Sequence, residues 1–413
     1  MKAIQLPPPV LGLDVRNPEG SLAKGAVRRA TNVVLTDDGD FRRSPGQTLR
    51  GTLDGAHSLW SGLGVTLVAA GDTLYEATLG TPTTYEAVFT GLPRGEWVEY
   101  AVVGADIYFT AGGVLGRYCA DGLVRRPGVA DLIGFTPTLS ATVGSLPPGR
   151  YGVAYSLTND LGDESPLSSI DYIDLPSGGG VLLTNLVTAT DVTKVNLFIT
   201  APDGRELYRN ATLTWNTSAS IVDQKLERMA PKKGFAVMPG GTIVRHWHGR
   251  LVVAEGGYVI FSDAFDPGVT DPAFGWLAVG STVTMLEPVA GGLFVGTTRD
   301  VRFYRGSGPE DLQMVQASPR GAVAHSGILV PPDYLDARLI GETGLPVAAW
   351  LSDVGFTLGL PSGQVVMPQE ERIRISVDGR ARPALAWNSG VKQIVFSVES
   401  MATGVGGSAD GTV

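Results

Sequence analysis

An all-β fold is what this sequence predicts, and three observations predict it. Gly occurs 55 times and Pro 27 times, while charged residues make up only 18% of 413, which marks a turn-rich, strand-rich chain. No sustained 3.6-residue apolar period runs anywhere along it. Short apolar runs are instead joined in pairs across tight turns, and that pairing recurs at a regular interval.

The clearest copy begins at His246. Arg250–Ala254 (RLVVA) is a buried-strand run, Glu255-Gly256-Gly257 a turn that tolerates positive φ, and Tyr258–Ser262 (YVIFS) the return strand. Gly291–Gly296 (GGLFVG), the turn Thr297–Asp300 and Val301–Tyr304 (VRFY) repeat the phrase, as do Val65–Ala70, Gly71-Asp72 and Thr73–Glu76. Further copies are Gly104–Thr110 with Val114–Tyr118, and Val347–Ser352 with Phe356–Gly359; Val391–Val398 carries the first half of a sixth.

One matched apolar position per unit gives Leu67, Ile107, Leu251, Leu293, Val347 and Ile394, with intervals of 40, 144, 42, 54 and 47 residues. Four of the five sit near the roughly 40–50 residues of a β-propeller blade. The other exceeds a blade by about a hundred residues, the size of a small inserted domain. The expected fold is therefore a six-bladed β-propeller with one insertion after the second blade.

In chain order, residues 1–46 are an N-terminal arm with lead-in strands. The first 13 residues are apolar, and Pro7-Pro8-Pro9 cannot donate to a ladder, so an extended arm lying on something is expected. Ala30–Leu35 and Phe41-Arg42-Arg43 then flank a turn whose Asp37, Asp38 and Asp40 favour turn chemistry over a calcium loop, which needs further oxygen ligands. Residues 47–133 hold blades 1 and 2, and 134–232 the insertion. There, Arg150–Thr158, Ser165–Asp174, Val181–Leu186, Lys194–Thr200, Glu206–Arg209 and Ser218–Val222 alternate as short strands, which reads as a β-sandwich. Asp223–Gly234 is a charged return linker read as a solvated hinge. Blades 3 to 6 occupy 233–398, and the Gly/Ser/Thr-rich tail 399–413 has little of its own to bury.

The lead-in phrase RRATNVVLTDDGDFRRSPG resembles the opening of tail nozzle and hub proteins of short-tailed double-stranded DNA bacteriophages. The later phrases GRLVVAEGGYVIFSDAFDPG, GGLFVGTTRDVRFYRG and AWLSDVGFTLGLPSGQVV are similar to the blades of the same proteins. The resemblance implies a structural virion subunit forming a ring, usually six-fold, below the portal and adaptor. Such a ring extends the channel for double-stranded DNA and holds tail fibres or spikes. It further implies assembly in the host bacterial cytoplasm and residence in the virion tail. Within the insertion, GRYGVAYSLTNDLGDESPLS resembles fibronectin III modules, an Ig-like sandwich; without a Cys pair, the disulfide-bearing variant is excluded.

Charge and cysteine usage agree with that expectation. The net charge of −9 argues against a surface built to hold nucleic acid, though a phosphate-repelling lumen lets DNA slide. Cys119 is alone, so no intramolecular disulfide forms. No basic leader with an apolar core and no run of ~20 apolar residues is present, so a soluble chain without a membrane anchor is expected.

Catalytic chemistry finds little footing. His246 and His248 bracket Trp247 and are expected to share a strand face, but a third metal ligand is not evident. Ser262, Asp263, Asp266 and Asp271 form an acidic loop whose Asp-Pro steps favour turns over an ion site. Glu255, Asp263, Glu287 and Asp353 sit on blade turns as uncoupled carboxylates. No P-loop, dinucleotide fingerprint or zinc pattern occurs. The expectation is a non-enzyme with no cofactor, no metal and no catalytic residue. Arg42, Arg43 and Arg302 are the candidates for subunit contacts. Two rivals remain: a carbohydrate-binding or glycoside-processing β-propeller, and a minor tail or baseplate protein of a long-tailed phage.

Overall fold

The computed structural model describes residues 11–401 apart from 31–32, 36–40, 44–47, 130, 133, 188, 190, 231–233, 342–343 and 389–390. Most of the expected arm 1–13, the acidic turn at Asp37, Asp38 and Asp40, Lys232 and Lys233 of the linker, and most of the tail lie outside the described residues. The chain is all-β, with antiparallel sheets dominating and one four-residue α-helix, Ala337–Ile340, among the described residues. No helix among them is long and apolar enough to cross a membrane.

Five antiparallel meanders carry the repeated phrase. The first runs Ala56–Gly62, Val65–Ala70, Thr73–Thr78, Thr84–Thr90; the second Glu99–Val103, Asp106–Ala111, Val114–Tyr118, Val124–Arg125. The third has Ile243–Trp247, Arg250–Glu255, Tyr258–Asp263 and Asp266–Thr270, with Ala236–Val237 added on the last strand and Trp276–Ala278 against Tyr258–Asp263. The fourth is Val283–Val289, Gly292–Thr297, Val301–Arg305, Gln313–Ser318, and the fifth Ile328–Val330, Val347–Ser352, Gly355–Gly359, Val365–Val366. The sixth repeat differs from its expectation. Val391–Met401 is the second strand of a two-stranded hairpin, and its partner Val377–Asn388 precedes it. Along its middle the half-buried Ile394, Phe396 and Val398 alternate with the exposed Val395, Ser397 and Glu399.

The chain divides into two compact units. One holds Met1–Ala87, Gly256–Tyr258 and Val279–Val413, so the first meander belongs with the fourth, the fifth and the terminal hairpin. The other holds Val88–Glu255 and Val259–Ala278, with the second and third meanders and the insertion. Within the first unit, every residue of Val283–Val289, Gly292–Thr297 and Val347–Ser352 is buried, whereas Gln313–Ser318 exposes its first four residues. Strands apolar on both faces must be covered on both faces, and here the cover is the neighbouring meander. Phe294, Phe303 and Trp350 form that contact: Phe294 lies 4.8 Å from Phe303 and 5.5 Å from Trp350 between ring centroids. Gly359 lets the rings approach, since a Cβ there would sit 2.6 Å from Phe294 and 2.8 Å from Trp350. In the second unit Ala101 and Tyr108 pack against Val244, Leu251 and Val253 in the same manner.

The insertion is a pair of sheets over a common core. Thr138–Leu146, Gly179–Thr184 and Ala219–Ile221 make one sheet; Asp171–Leu175, Gly149–Asn159, Val192–Thr200 and Leu207–Thr214 make the other. Tyr151, Val153, Tyr155, Leu197 and Ile199 of the larger sheet meet Val181, Leu183 and Ile221 of the smaller. Val129 and Leu132 also join this core, so its packing begins before the expected boundary at residue 134. Thr138–Leu146 is a strand the sequence reading missed; most of its residues, Val143 among them, are exposed and only Leu146 is buried.

Candidate functional site

Arg42 and Arg43 lie side by side on Phe41–Arg43, opposite Val34 and Val33, and both are exposed. Their guanidinium groups therefore face solvent from a two-stranded sheet, as a contact residue requires. Arg302 is different. Its Nε donates to Asp300 Oδ2 at 2.9 Å and its Nη1 to the Val279 carbonyl at 2.5 Å. The bond to Asp300 raises the Arg302 pKa above its ordinary value. Burial pushes the Asp300 carboxyl up, but hydrogen bonds from Thr297 and Arg302 prevail and hold it below its usual range. Arg302 thus ties the turn of its own meander to Val279, which precedes that meander.

His246 and His248 do not share a strand face. His246 is within the ladder opposite Leu251, while His248 lies beyond the strand end at φ 47°, where the chain reverses. Its ring stacks edge-on to Trp247 at 4.9 Å. Burial, then the charge of His248, lowers the His246 pKa. No group of three or more metal-ligating side chains occurs among the described residues.

The acidic loop makes turns. Ser262 Oγ accepts from Leu251 N at 2.9 Å, Asp263 Oδ1 accepts from Ala264 N, Asp266 Oδ1 from Gly268 N and Asp271 Oδ1 from Ala273 N. Each carboxylate serves a backbone amide within two residues, which is how Asp initiates turns. Glu287 is buried and Glu255 exposed on separate meanders, and Asp353 is ion-paired.

Asp353 borders a polar cleft of about 580 Å³ in the first unit, lined also by Thr284, Thr298, Arg299, Arg320 and Ser352. Arg320 spans its wall: Nη1 reaches Asp353 Oδ2 at 2.9 Å and Nη2 reaches Glu370 Oε1 at 2.8 Å. The hydrogen bond to Glu370 is the main reason its pKa is raised. This fork joins the loop leaving the fourth meander to a turn of the fifth and to the segment entering the terminal hairpin.

Sequence reading missed this fork, and it missed two more like it. In the second unit Arg245 pairs with the buried Glu99 at 2.7 Å. In the insertion, Arg209 and Asn196 both donate to Glu164, which sits beside Ser156. Each joins residues far apart in sequence, and no local pattern signals them. The first two cross-link separate meanders or their connecting segments, and the third ties three strands of one sheet.

No family model matches the chain, and no curated protein matches it. Among solved structures it is similar to BBS1N, seen in complex with ARL6DN and soaked with lead, at 12% identity and a TM-score of 0.32 over 85% of this chain and 93% of that one. It is similar to the AfRom2 CNH domain at 8% identity and a TM-score of 0.26, over 79% and 92% of the two chains. KlHsv2 with a loop replaced by a Gly-Ser linker gives 10% identity and 0.26, over 80% and 85%. Likeness at this level carries no argument about fold, activity or partner.

Proposed function

We propose that this chain is a structural subunit of a bacteriophage tail, a nozzle or hub that assembles as a ring, extends the DNA-ejection channel below the portal and adaptor, and anchors fibres or spikes. The observation that carries the reading is how the charged side chains are used. Glu99–Arg245 ties the second meander to the third, and Arg320 ties the fourth meander's exit to Asp353 and Glu370. A body cross-linked in this way resists shear between its sheets, which suits a wall better than a moving part. The phage-like phrases of the sequence and the net charge of −9, which repels a passing phosphate backbone, support the same reading.

On this reading the five meanders and the terminal hairpin are six blades of a β-propeller. Packing of first strands on first strands supports it: Glu99–Val103 lies against Ile243–Trp247, and Val283–Val289 against Ile328–Val330, which in turn meets Val377–Asn388. The insertion is then a fibronectin III-like module. Its larger sheet, ordered Asp171–Leu175, Gly149–Asn159, Val192–Thr200, Leu207–Thr214, supports that likeness. Arg42, Arg43 and Arg302 are the candidate subunit contacts, Arg302 being held in place by Asp300 and the Val279 carbonyl.

Negative-stain electron microscopy of the purified chain tests the function. Closed rings, six-fold in projection, are expected. Isolated monomers at micromolar concentration, together with turnover of glycoside substrates, would instead favour a carbohydrate-processing protein. Rings located at the baseplate of a long tail would reassign the subunit within the virion.

A further inference from the structure

The second unit holds a cleft of about 450 Å³, a size within the roughly 300–1,000 Å³ of ligand sites in general. The cleft forms where two strands of the second meander part. Val114–Tyr118 pairs with Val124–Arg125 at Tyr118 and Arg117 only, so Leu115 and Gly116 separate from Arg126 and Pro127, and all four line the hollow between them. Gly116 deepens it. It lies opposite Phe109, and a Cβ there would overlap the Phe109 ring, which covers the place of a side chain. Phe109 in turn holds Phe89, another wall of the cleft, edge-on at 5.4 Å between centroids.

The far wall, Met238–Gly240, is fixed as firmly. A Cβ on Gly240 would overlap the Gly113 carbonyl, so the two backbones touch. Next to it, Gly241 N donates to the buried Thr110 hydroxyl at 2.8 Å. Walls held by direct backbone contact leave the cleft formed in advance, so an occupant spends little on ordering it. The lining is mainly apolar, and among its described residues the charged ones are Arg125 and Arg126. Their uses differ. Arg125 is ion-paired, to Asp121 at 2.8 Å and to Asp160 at 3.6 Å. Arg126, the next residue, is exposed. A purely apolar molecule leaves the Arg126 guanidinium unused, and a small hydrophilic ion leaves Val114, Val124 and Met238 unused. An apolar body carrying one carboxylate, sulfonate or phosphate group uses both.

We infer that this cleft is a binding site for a small amphipathic anion, with the apolar body against Val114, Val124 and Met238 and the anionic group on Arg126. Burial of the body supplies the attraction, and the guanidinium sets the orientation and the preference for an anion. The inference does not depend on the tail-subunit reading, and a failure of ring formation leaves it standing.

Isothermal titration calorimetry of the full chain with octanoate tests it, with octan-1-ol and acetate as comparison probes. Octanoate should bind at one site per chain. Octan-1-ol should bind about tenfold more weakly, the loss that a missing charge-assisted hydrogen bond brings, and acetate more weakly still. Arg126→Gln should weaken octanoate by about the same tenfold and leave octan-1-ol unchanged. Because Arg126 is exposed, that variant should keep the melting temperature of the parent. Val124→Trp fills the cleft and should abolish binding of both; if it does not fold, Arg126→Gln decides alone. Octanoate that binds no tighter than octan-1-ol, that is undiminished in Arg126→Gln or in a folded Val124→Trp, or that does not bind at millimolar concentration overturns the inference.

Discussion

Glu99 and Arg245, 146 residues apart in sequence, meet at 2.7 Å with the Glu99 side chain only 3% exposed. The first is on the leading strand of the second meander and the second on that of the third. A carboxylate so far from water depends on its partner, since removing one member of a buried pair leaves an uncompensated charge. Arg245→Met is therefore expected to destabilise by about 3–5 kcal/mol. The double variant Glu99→Leu, Arg245→Met should recover most of that loss, because it removes both desolvated charges. Urea unfolding midpoints check both. A double variant as weak as the single one would mean that the shape of the pair, not its charge, holds the meanders together.

His57 makes the first unit sensitive to mild acid. Burial, and then the charges of Arg382 and Arg380, hold its pKa below the ordinary 6.5. The folded chain thus favours the neutral ring, and the unfolded chain takes up the proton first. Its contribution is fully present above about pH 6.5 and is lost as pH falls from there through the lowered folded value. His246 is shifted in the same direction by burial and His248. Asp300, lowered from 3.8, loses its contribution only in stronger acid. The melting temperature should therefore fall between about pH 7 and pH 5, and His57→Gln should flatten part of that slope. An unchanged slope in the variant would remove His57 from the explanation.

The repeated hairpins were legible because their information is local. Arg250–Glu255 and Tyr258–Asp263, or Gly292–Thr297 and Val301–Arg305, are apolar runs separated by turn residues, and each pairs as the sequence reads. Six of the seven strands of the insertion were legible for the same reason. Val391–Val398 read as the first half of the sixth unit, whereas Val391–Met401 is the second strand; its partner Val377–Asn388 carries Gly379 and Pro383 within it. A strand tolerates both when one of its edges needs no continuous ladder. The candidate site was less legible. Arg42 and Arg43 are exposed, whereas Arg302 is bonded to Asp300 in the turn of its meander and to Val279 before it, partners that no local pattern signals. His248 leaves the strand because the chain turns there through a left-handed conformation, one in which His is enriched among non-Gly residues. Glu99–Arg245 and Arg320–Glu370 could not be read at all, since long-range pairing leaves no periodicity.

Gly359 is a point at which the contact between the fourth and fifth meanders is sensitive to one added carbon. It sits at the end of Gly355–Gly359, and a Cβ would come within 2.6 Å of Phe294 Cε2 and 2.8 Å of Trp350 Cζ3. Both rings are fully buried and already stacked on each other, so neither swings away without moving the other or Phe303. The backbone at Gly359 is not in the left-handed region, so the cost of a side chain there is steric and not conformational. Gly359→Ala is expected to destabilise by about 1–3 kcal/mol, the usual range for overpacking a close-packed core. Phe294→Leu alone should also destabilise, through the cavity it leaves. Combined, the two should cost less than the sum of the single changes, because the smaller side chain makes room for the new methyl. Thermal unfolding of the four proteins measures the coupling. Strict additivity would show that the ring of Phe294 is not what the alanine meets.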